Sequence, residues 1–351
     1  FVQEAKELGA EALLNSMVLE VDHEAGTVVC VNKEHGYTKV KTKSIVLAMG
    51  CRERTRANIM IPGSRPAGVY TAGSAQRLIN RQNQMVGRNV VILGSGDIGM
   101  IMARRMTLEG AKVLAVIEIM DYLAGLTRNK VQCLDDFGIP LKLSHTITEI
   151  DGFQRVEGVK VCQVDEKKNP IPETEEYIPC DTLLLSVGLL PENELTKKAS
   201  IEISPITNGP ILNQYMQTSA ENVFACGNVV HVNDLVDNVT EESMRAGKYA
   251  ALYAAGKFPK VRKEIQTVTG ENVRYLCPQK IKQTEENEKV RLFFRVMQPG
   301  EKATIQVKCG EKILSRRKVP RVNPGEMEYA QLQTGEVDGD EIVVEVVKEE
   351  A

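Results

Sequence analysis

The stretch VILGSGDIGM, residues 91–100, contains three glycines in the spacing G-x-G-x-x-G. The short apolar run NVVILG leads into it and is typical of a strand buried on both faces. Helical spacing follows from Met100 to Glu109, and Gly110 ends that helix. The stretch therefore predicts a strand, a glycine-rich turn and a helix, in that order.

Each glycine has its own role in such a turn. The first permits the tight bend, the second lets the backbone approach a pyrophosphate, and the third lets the helix pack on the strand. N–H groups at the helix N-terminus then face the phosphates, where the helix dipole favours negative charge. The turn therefore predicts a dinucleotide site with these cofactor-binding residues: Gly94, Ser95, Gly96, Asp97, Ile98 and Gly99.

The next strand, KVLAVIE (residues 112–118), ends in an acid. Glu118 follows Gly94 by 24 residues, a position from which a carboxylate can bind both ribose hydroxyls. A 2′-phosphate would be repelled there, and neither Ile119 nor Met120 offers a compensating positive charge. We therefore expect NAD rather than NADP.

The rest of the chain divides around this unit. Alternating strands and helices predict one α/β domain over residues 88–188. Beyond Pro191, a buried strand leads into a helix from about Thr240 to Ala255. From Lys260 onward no helical pattern occurs, and short alternating segments separated by turn residues predict a small antiparallel sandwich or barrel. The clearest segments are Val290–Met297, Ala303–Lys308, Ile313–Lys318, Met327–Leu332 and Glu341–Val347.

Composition limits the possible partners and ligands. The net charge of −3 gives no electrostatic basis for binding nucleic acid or an anionic membrane. The longest apolar stretch, near residues 183–190, is too short to span a bilayer. Eight scattered cysteines without a closely spaced pair favour a reducing cytoplasm, and four histidines without clustered ligands make a metal site unexpected.

Three segments that end in glycine flank or follow the α/β unit: SIVLAMG (44–50), TLLLSVGLLPEN (182–193) and TSAENVFACGN (218–228). With them the chain resembles the two-dinucleotide-binding flavoproteins of the pyridine nucleotide-disulfide oxidoreductase fold. In that family an NAD(P) domain interrupts a flavin domain after an A-T-G segment, matched by Ala48-Met49-Gly50. The chain returns after a G-x-x-P-N segment, matched by Gly188, Pro191 and Asn193, and a G-D segment follows, matched by Gly227–Asn228.

A narrower likeness lies in MGCRERTRANIMIPGSRPAGVYTAGSAQRLI, residues 49–79. This stretch resembles the α subunits of opine, sarcosine and cyanide-forming amine dehydrogenases. It is also similar to NAD/FAD oxidoreductases associated with anaerobic glycerol-3-phosphate dehydrogenases. The likeness covers residues 1 to about 256.

The resemblance implies two cofactors, FAD and NAD, and further cofactor-binding positions. Gly227 and Asn228 would lie at the flavin ribityl and pyrophosphate. A helix starting near Val239–Thr240 would direct its N–H groups at the flavin pyrimidine edge, and Gly247, Ala250 and Ala251 would let it pack closely. The remaining flavin-side positions are Ala48, Gly50 and Gly188.

The predicted fold is α/β: a Rossmann-like NAD domain inserted in a partial FAD-binding domain, followed by a small all-β C-terminal domain. We expect the flavin domain at 1–87 and 189–258, the NAD domain at 88–188 and the β domain at 259–351. Family members begin with a second glycine fingerprint for the flavin ADP, and we expect that half to be missing before Phe1.

The implied function is an FAD- and NAD-dependent oxidoreductase that transfers hydride between NAD(H) and flavin. Hydride transfer needs no side-chain acid or base, so no catalytic residue is predicted. Electrons would pass to a second flavoprotein or an iron–sulfur protein, and a homodimer is possible. Two alternatives remain open: a non-catalytic nucleotide-binding or docking subunit of a dehydrogenase complex, and a disulfide reductase whose cysteine pair lies upstream of Phe1.

Overall fold

The computed structural model describes residues 1–348 and is built from short strands and seven helices over that range. The helices are α1 (Val2–Glu7), α2 (Arg56–Ile59), α3 (Ala72–Gln82), α4 (Asp97–Leu108), α5 (Thr127–Cys133), α6 (Glu194–Lys198) and α7 (Val236–Ala254). The first six strands are β1 (Ser16–Asp22), β2 (Thr27–Asn32), β3 (Gly36–Lys41), β4 (Ile45–Leu47), β5 (Cys51–Glu53) and β6 (Val69–Thr71).

The apolar run before the glycine turn forms the centre of a parallel sheet. Its strand order is β6-β13-β7-β8-β9, and every pair of neighbours runs parallel. The crossovers from β6 to β7 and from β7 to β8 each contain a helix, α3 and α4. The strands are β7 (Asn89–Leu93), β8 (Lys112–Ile117), β9 (Leu141–Lys142) and β13 (Thr182–Leu185).

This sheet lies between two layers. Val90 and Ile92 face helices α3, α4 and α5, whereas Val91 and Leu93 face a three-stranded antiparallel sheet on the other side. Burying each such side chain contributes about 1.5–3 kcal/mol relative to leaving it exposed. Burial on both faces therefore explains the continuous apolar run in β7. The antiparallel layer consists of β10 (His145–Asp151), β11 (Gly158–Gln163) and β12 (Glu176–Pro179).

Two connecting strands lead into and out of this unit side by side. They are β5 and β14 (Leu189–Pro191), which pair antiparallel. On the far side of this pair, β4 runs parallel to β15 (Val223–Ala225), and α7 packs against both strands. Within residues 1–348, β15 is the only strand paired with β4. The meander β1-β2-β3 completes this part of the chain.

The C-terminal part is a two-sheet β sandwich. One sheet has the order β18-β16-β23-β20-β21, the other β17-β19-β22, and a single apolar core lies between them. Its strands are β16 (Lys263–Thr269), β17 (Val273–Cys277), β18 (Lys280–Gln283), β19 (Lys289–Val296), β20 (Gly300–Cys309), β21 (Lys312–Val322), β22 (Glu328–Gln333) and β23 (Glu341–Lys348).

The predicted fold class is confirmed: a Rossmann-like α/β unit between flanking segments that pack together, followed by an all-β region. The exact residue boundaries of the domains stay a prediction, and positions 349–351 of the expected β domain lie outside the described residues. No helix within residues 1–348 has the length and apolar character needed to cross a membrane.

Candidate functional site

The glycine turn lies at the carboxyl end of β7, where the packing demands glycine at two of its three positions. Gly94 has a φ of +102°, and a Cβ there would lie under 3.0 Å from the Ser186 carbonyl oxygen. A Cβ on Gly99 would lie 2.5 Å from the Gly94 oxygen and 2.9 Å from the Ser186 Cβ. These two glycines are therefore required by the fold itself.

Gly96 differs because nothing in the protein excludes a side chain there. It is the N-cap of α4 with φ −63°, and a Cβ would come no closer than 3.6 Å to the Ser186 Oγ. No side chain caps this helix N-terminus. Ile98, in the first turn, is 41% exposed. The turn therefore presents open backbone at the positive end of a twelve-residue helix.

The carboxylate of Glu118 is held by the turn rather than directed at solvent. The side chain is 4% exposed. Its Oε2 accepts hydrogen bonds from the Ser95 N–H at 2.8 Å and the Ser95 hydroxyl at 2.7 Å, and its Oε1 accepts from the Met120 N–H. A carboxylate has about four acceptor positions. Binding both ribose hydroxyls as predicted would therefore require these bonds to rearrange.

The segment after β8, residues 119–126, folds back over the turn. The Ala124 N–H donates to the Ser95 Oγ at 3.0 Å, and the Leu126 N–H donates to the Asp97 carboxylate at 2.9 Å. Asn129 donates to the same Asp97 oxygen. Ser95 and Asp97 therefore tie the glycine turn to this neighbouring segment.

Gly50 and Gly188 lie together at the start and end of the two connecting strands. Both have positive φ, +72° and +98°. A Cβ on Gly50 would meet no atom within 4 Å, and one on Gly188 would meet only the Arg54 Cδ, at 4.0 Å. Ala48 is exposed nearby. The structure therefore brings these three predicted flavin-side residues into one open region.

Gly227 and Asn228 lie in a short 3-10 helix directly after β15. The Gly227 N–H donates to the Glu242 Oε2 at 2.7 Å. The Asn228 Oδ1 accepts from the Asn233 N–H, and its amide lies 3.6 Å from the Cys51 sulfur. The side chain of Asn228 therefore links this turn to the first connecting strand.

The predicted start of the flavin-side helix was wrong by about one turn. Helix α7 begins at Val236, so Thr240 lies in its second turn, with its hydroxyl bonded to the Val236 carbonyl. The orphan N–H groups belong to the residues around Val236. Close packing at Gly247 was also wrong, since Gly247 is exposed and no atom lies within 4 Å of its Cβ position. Of the two alanines, Ala250 is buried and Ala251 is exposed.

A buried ionisable pair behind Gly227 was not predicted. The His231 Nε2 lies 2.8 Å from the Glu242 Oε1, and both side chains are almost completely buried. Burial alone lowers the pKa of His231, but the neighbouring Cys277 and Glu242 raise it, and the net pKa is well above 6.5. A lone histidine carries no local pattern that would reveal such a partner eleven residues away.

All eight cysteines are free thiols. Burial raises the pKa of Cys180 to about 11, and it also raises the pKa values of Cys51 and Cys226. Thiols of raised pKa are poor nucleophiles near neutral pH. Among residues 1–348, no group of His, Cys, Asp or Glu side chains has an arrangement that could hold a metal.

Comparison with known proteins agrees with this arrangement. The chain is 27% identical over 246 residues to the NAD(P)H coenzyme A polysulfide/persulfide reductase of Pyrococcus horikoshii, a match covering 66% of this chain and 49% of the relative. It is 24% identical over 188 residues to one subunit of the opine oxidase of Agrobacterium tumefaciens, covering 51% of this chain and 37% of the relative. The chain thus spans about half the length of the first relative and less of the second.

Among solved structures, the chain is similar to the water-forming NADH oxidase from Lactobacillus brevis bound to NADH. The TM-score is 0.56 at 19% identity, over 84% of this chain and 61% of that structure. The family model described as pyridine nucleotide-disulphide oxidoreductase matches residues 2–246, well over half of the sequence. The chain therefore belongs to the pyridine nucleotide-disulphide oxidoreductase family.

Proposed function

We propose that this chain forms the nicotinamide-binding part of an FAD-dependent oxidoreductase that transfers hydride between NAD(H) and flavin. The observation that carries the proposal is the contrast within the glycine turn. Gly94 and Gly99 are glycine because the protein leaves no space for a Cβ, whereas Gly96 is glycine where the protein leaves space open. A ligand that approaches the backbone closely explains the third glycine, and a pyrophosphate is the group that such a turn binds.

The residues around the turn fit a dinucleotide. Gly96 and the first turn of α4 offer backbone N–H groups and the helix dipole to the pyrophosphate. Glu118 lies at the end of β8, where its negative charge disfavours a 2′-phosphate, and the adjacent Ile119 and Met120 carry no charge. We therefore propose NAD(H) as the coenzyme. The protein binds and orients it, and no side chain is needed to move a proton.

The flavin-side residues fit a second planar cofactor beside the first. Gly50 and Gly188 lie in the open region next to the connecting strands, and Asn228 lies across from them against Cys51. The N-terminal end of α7 faces outward, since Val236 is 75% exposed. When bound, flavin supplies the hydride acceptor or donor that faces the nicotinamide. We propose Ala48, Gly50, Gly188, Gly227 and Asn228 as its contacts, together with the first turn of α7 in place of Val239 and Thr240.

The flavin-binding unit needs further polypeptide around β4. Val46 on this strand is 40% exposed, and the meander beside it exposes Met17 and Leu19 at 66% and 43%. A two-stranded parallel sheet with an exposed apolar flank is smaller than any typical dinucleotide-binding sheet. We propose that residues 1–87 and 189–258 are one part of this unit, with the β domain from 259 onward.

A partner protein is the proposed electron acceptor or donor. The Agrobacterium relative is named as one component of an opine oxidase that has more than one kind of subunit. Together with the stretch at residues 49–79, this favours a role within an amine, opine or glycerol-3-phosphate type of dehydrogenase complex. No observation on the eight free cysteines favours the disulfide-reductase alternative.

Gly96→Ala tests the proposal directly. A methyl group there meets no protein atom closer than 3.6 Å but occupies the path of the pyrophosphate. We expect NADH binding, measured by titration calorimetry, to weaken at least tenfold, about 1.4 kcal/mol, with little change in thermal unfolding. Gly300→Ala is the matched control, since its Cβ would make only an ordinary contact, 3.5 Å from Val322, far from the turn.

Two results would overturn the proposal. One is an unmodified chain that does not bind NADH. The other is equal NADH affinity in the Gly96→Ala variant and the unmodified chain. In protein loaded with FAD, stopped-flow bleaching of the flavin absorbance by NADH tests the transfer itself. A non-catalytic docking protein would bind NADH and leave the flavin oxidised.

A further inference from the structure

The tip of a C-terminal hairpin touches the nucleotide-binding unit. Residues 323–327 join β21 to β22, and a Cβ on Gly325 would lie under 3.0 Å from the carbonyl carbon and oxygen of Ala124. The two backbones are therefore in direct contact. Ala124 belongs to the segment that folds over the glycine turn, and its N–H donates to the Ser95 Oγ.

A buried ion pair holds this tip in place. Arg295 on β19 pairs with Asp234, and the two side chains are only 14% and 13% exposed. The Arg295 Nη1 also donates to the Gly325 carbonyl at 2.8 Å, and the second Asp234 oxygen accepts from the Met327 N–H at 2.7 Å. Asp234 lies just before α7, so the pair joins the β sandwich to the flavin-side segment.

These contacts form a continuous path between the sandwich and the nucleotide turn. It runs from Arg295 to Gly325, then through Ala124 to the Ser95 hydroxyl, which donates to Glu118. Each step is a hydrogen bond or a van der Waals contact between backbones. A displacement of the hairpin therefore moves the segment that fixes the glycine turn and its acid.

We propose that residues 323–327 are a positioning segment for the nucleotide site, through which the C-terminal sandwich sets the affinity for NAD(H). The inference rests on the proposed function and adds a role for the β domain in it. The hairpin contributes no group to the coenzyme. It holds residues 119–126 against the turn, and Arg295 and Asp234 hold the hairpin.

Gly325 gives the sharpest test of this segment. Its φ is not positive, so an alanine there is opposed by the contact with Ala124 and not by backbone strain. The hairpin borders a cavity of about 320 Å³ between the three parts of the chain, lined by Leu126, Arg128, Asp234, Leu235, Arg321 and Met327. This space lets the hairpin shift without unfolding the sandwich.

We expect Gly325→Ala to weaken NADH binding about tenfold in titration calorimetry. Hydrogen exchange in peptides covering residues 119–126, measured without NADH, should become faster. Gly300→Ala, in the same sandwich, should change neither quantity. Asn323→Ala is a milder second variant, since it only removes the acceptor for the Gly325 N–H. It should shift both quantities in the same direction, by a smaller factor.

The pathway through Ser95 gives a further prediction of the same proposal. In a Ser95→Ala background, Gly325→Ala should change the NADH affinity less than twofold, because the link from Ala124 to the turn is already lost. The proposal is overturned if both hairpin variants bind NADH as tightly as the unmodified chain with unchanged exchange. That result would leave the proposed function standing, whereas an unmodified chain that fails to bind NADH would overturn both.

Discussion

The buried carboxylate of Glu242 offers a test of how the flavin-side turn is held. It accepts from the Gly227 N–H at 2.7 Å and pairs with His231 at 2.8 Å, in a site where both side chains are nearly inaccessible. Glu242→Gln keeps the volume of the side chain and one oxygen but removes the charge. A hydrogen bond to a charged group contributes about 1.5–3 kcal/mol, and breaking a buried pair costs about 3–5 kcal/mol.

We therefore expect Glu242→Gln to lower the free energy of unfolding by about 2–4 kcal/mol, since one of its two bonds can re-form. Urea unfolding followed by far-ultraviolet circular dichroism is the appropriate assay, because the chain contains no tryptophan. The control is the neighbouring Glu241→Gln. Glu241 pairs with Arg291 at 2.9 Å, but these side chains are 50% and 37% exposed, and such pairs contribute about 0–1 kcal/mol. Similar losses in the two variants would refute the assignment of Glu242 as the buried anchor of this turn.

Two further predictions concern the same region. Because the pKa of His231 is raised in the folded protein, its stabilising contribution is complete below about pH 6.5 and is lost as the pH rises through the raised value; the difference in unfolding free energy between the unmodified chain and His231→Gln should therefore narrow as the pH rises from 6 towards alkaline values, and a gap that widens would contradict this. Gly247→Ala should raise the free energy of unfolding by about 0.5–1 kcal/mol, because the position is exposed within α7 and its Cβ would meet nothing; a loss of stability in the urea assay would show that this helix face is covered.

The parts of the fold that the sequence predicted well are those governed by local rules. The run NVVILG, the glycine spacing and the stop at Gly110 gave β7, the turn and the end of α4, because burial on both faces and positive φ leave direct marks on composition. The start of α4 was less clear, since its N-cap is Gly96 and no Ser, Thr, Asp or Asn side chain caps it. The start of α7 was misplaced for a similar reason, because Leu235 precedes it without a capping side chain.

The contacts that matter most to the site were beyond reach of any local pattern. Arg295 and Asp234 are 61 residues apart in sequence, and Gly325 meets Ala124 from another domain. Strands β16, β17 and β18 were also not singled out, because β16 and β18 carry charged residues that blur their alternation and Pro278 follows β17. For Glu118 the pattern gave the position correctly, but the bonds to Ser95 depend on how the loop closes.

The pairing of β5 with β14 has a consequence for the evolution of the chain. Cys51 lies opposite Pro191, and the Glu192 N–H donates to the Gly50 carbonyl at 3.0 Å. The points at which the polypeptide leaves and rejoins its host are therefore already neighbours, as in a cassette held by a single clasp. A gene rearrangement that exchanged everything between them would leave the host termini correctly spaced, so a module of different coenzyme preference can be substituted without rebuilding what surrounds it.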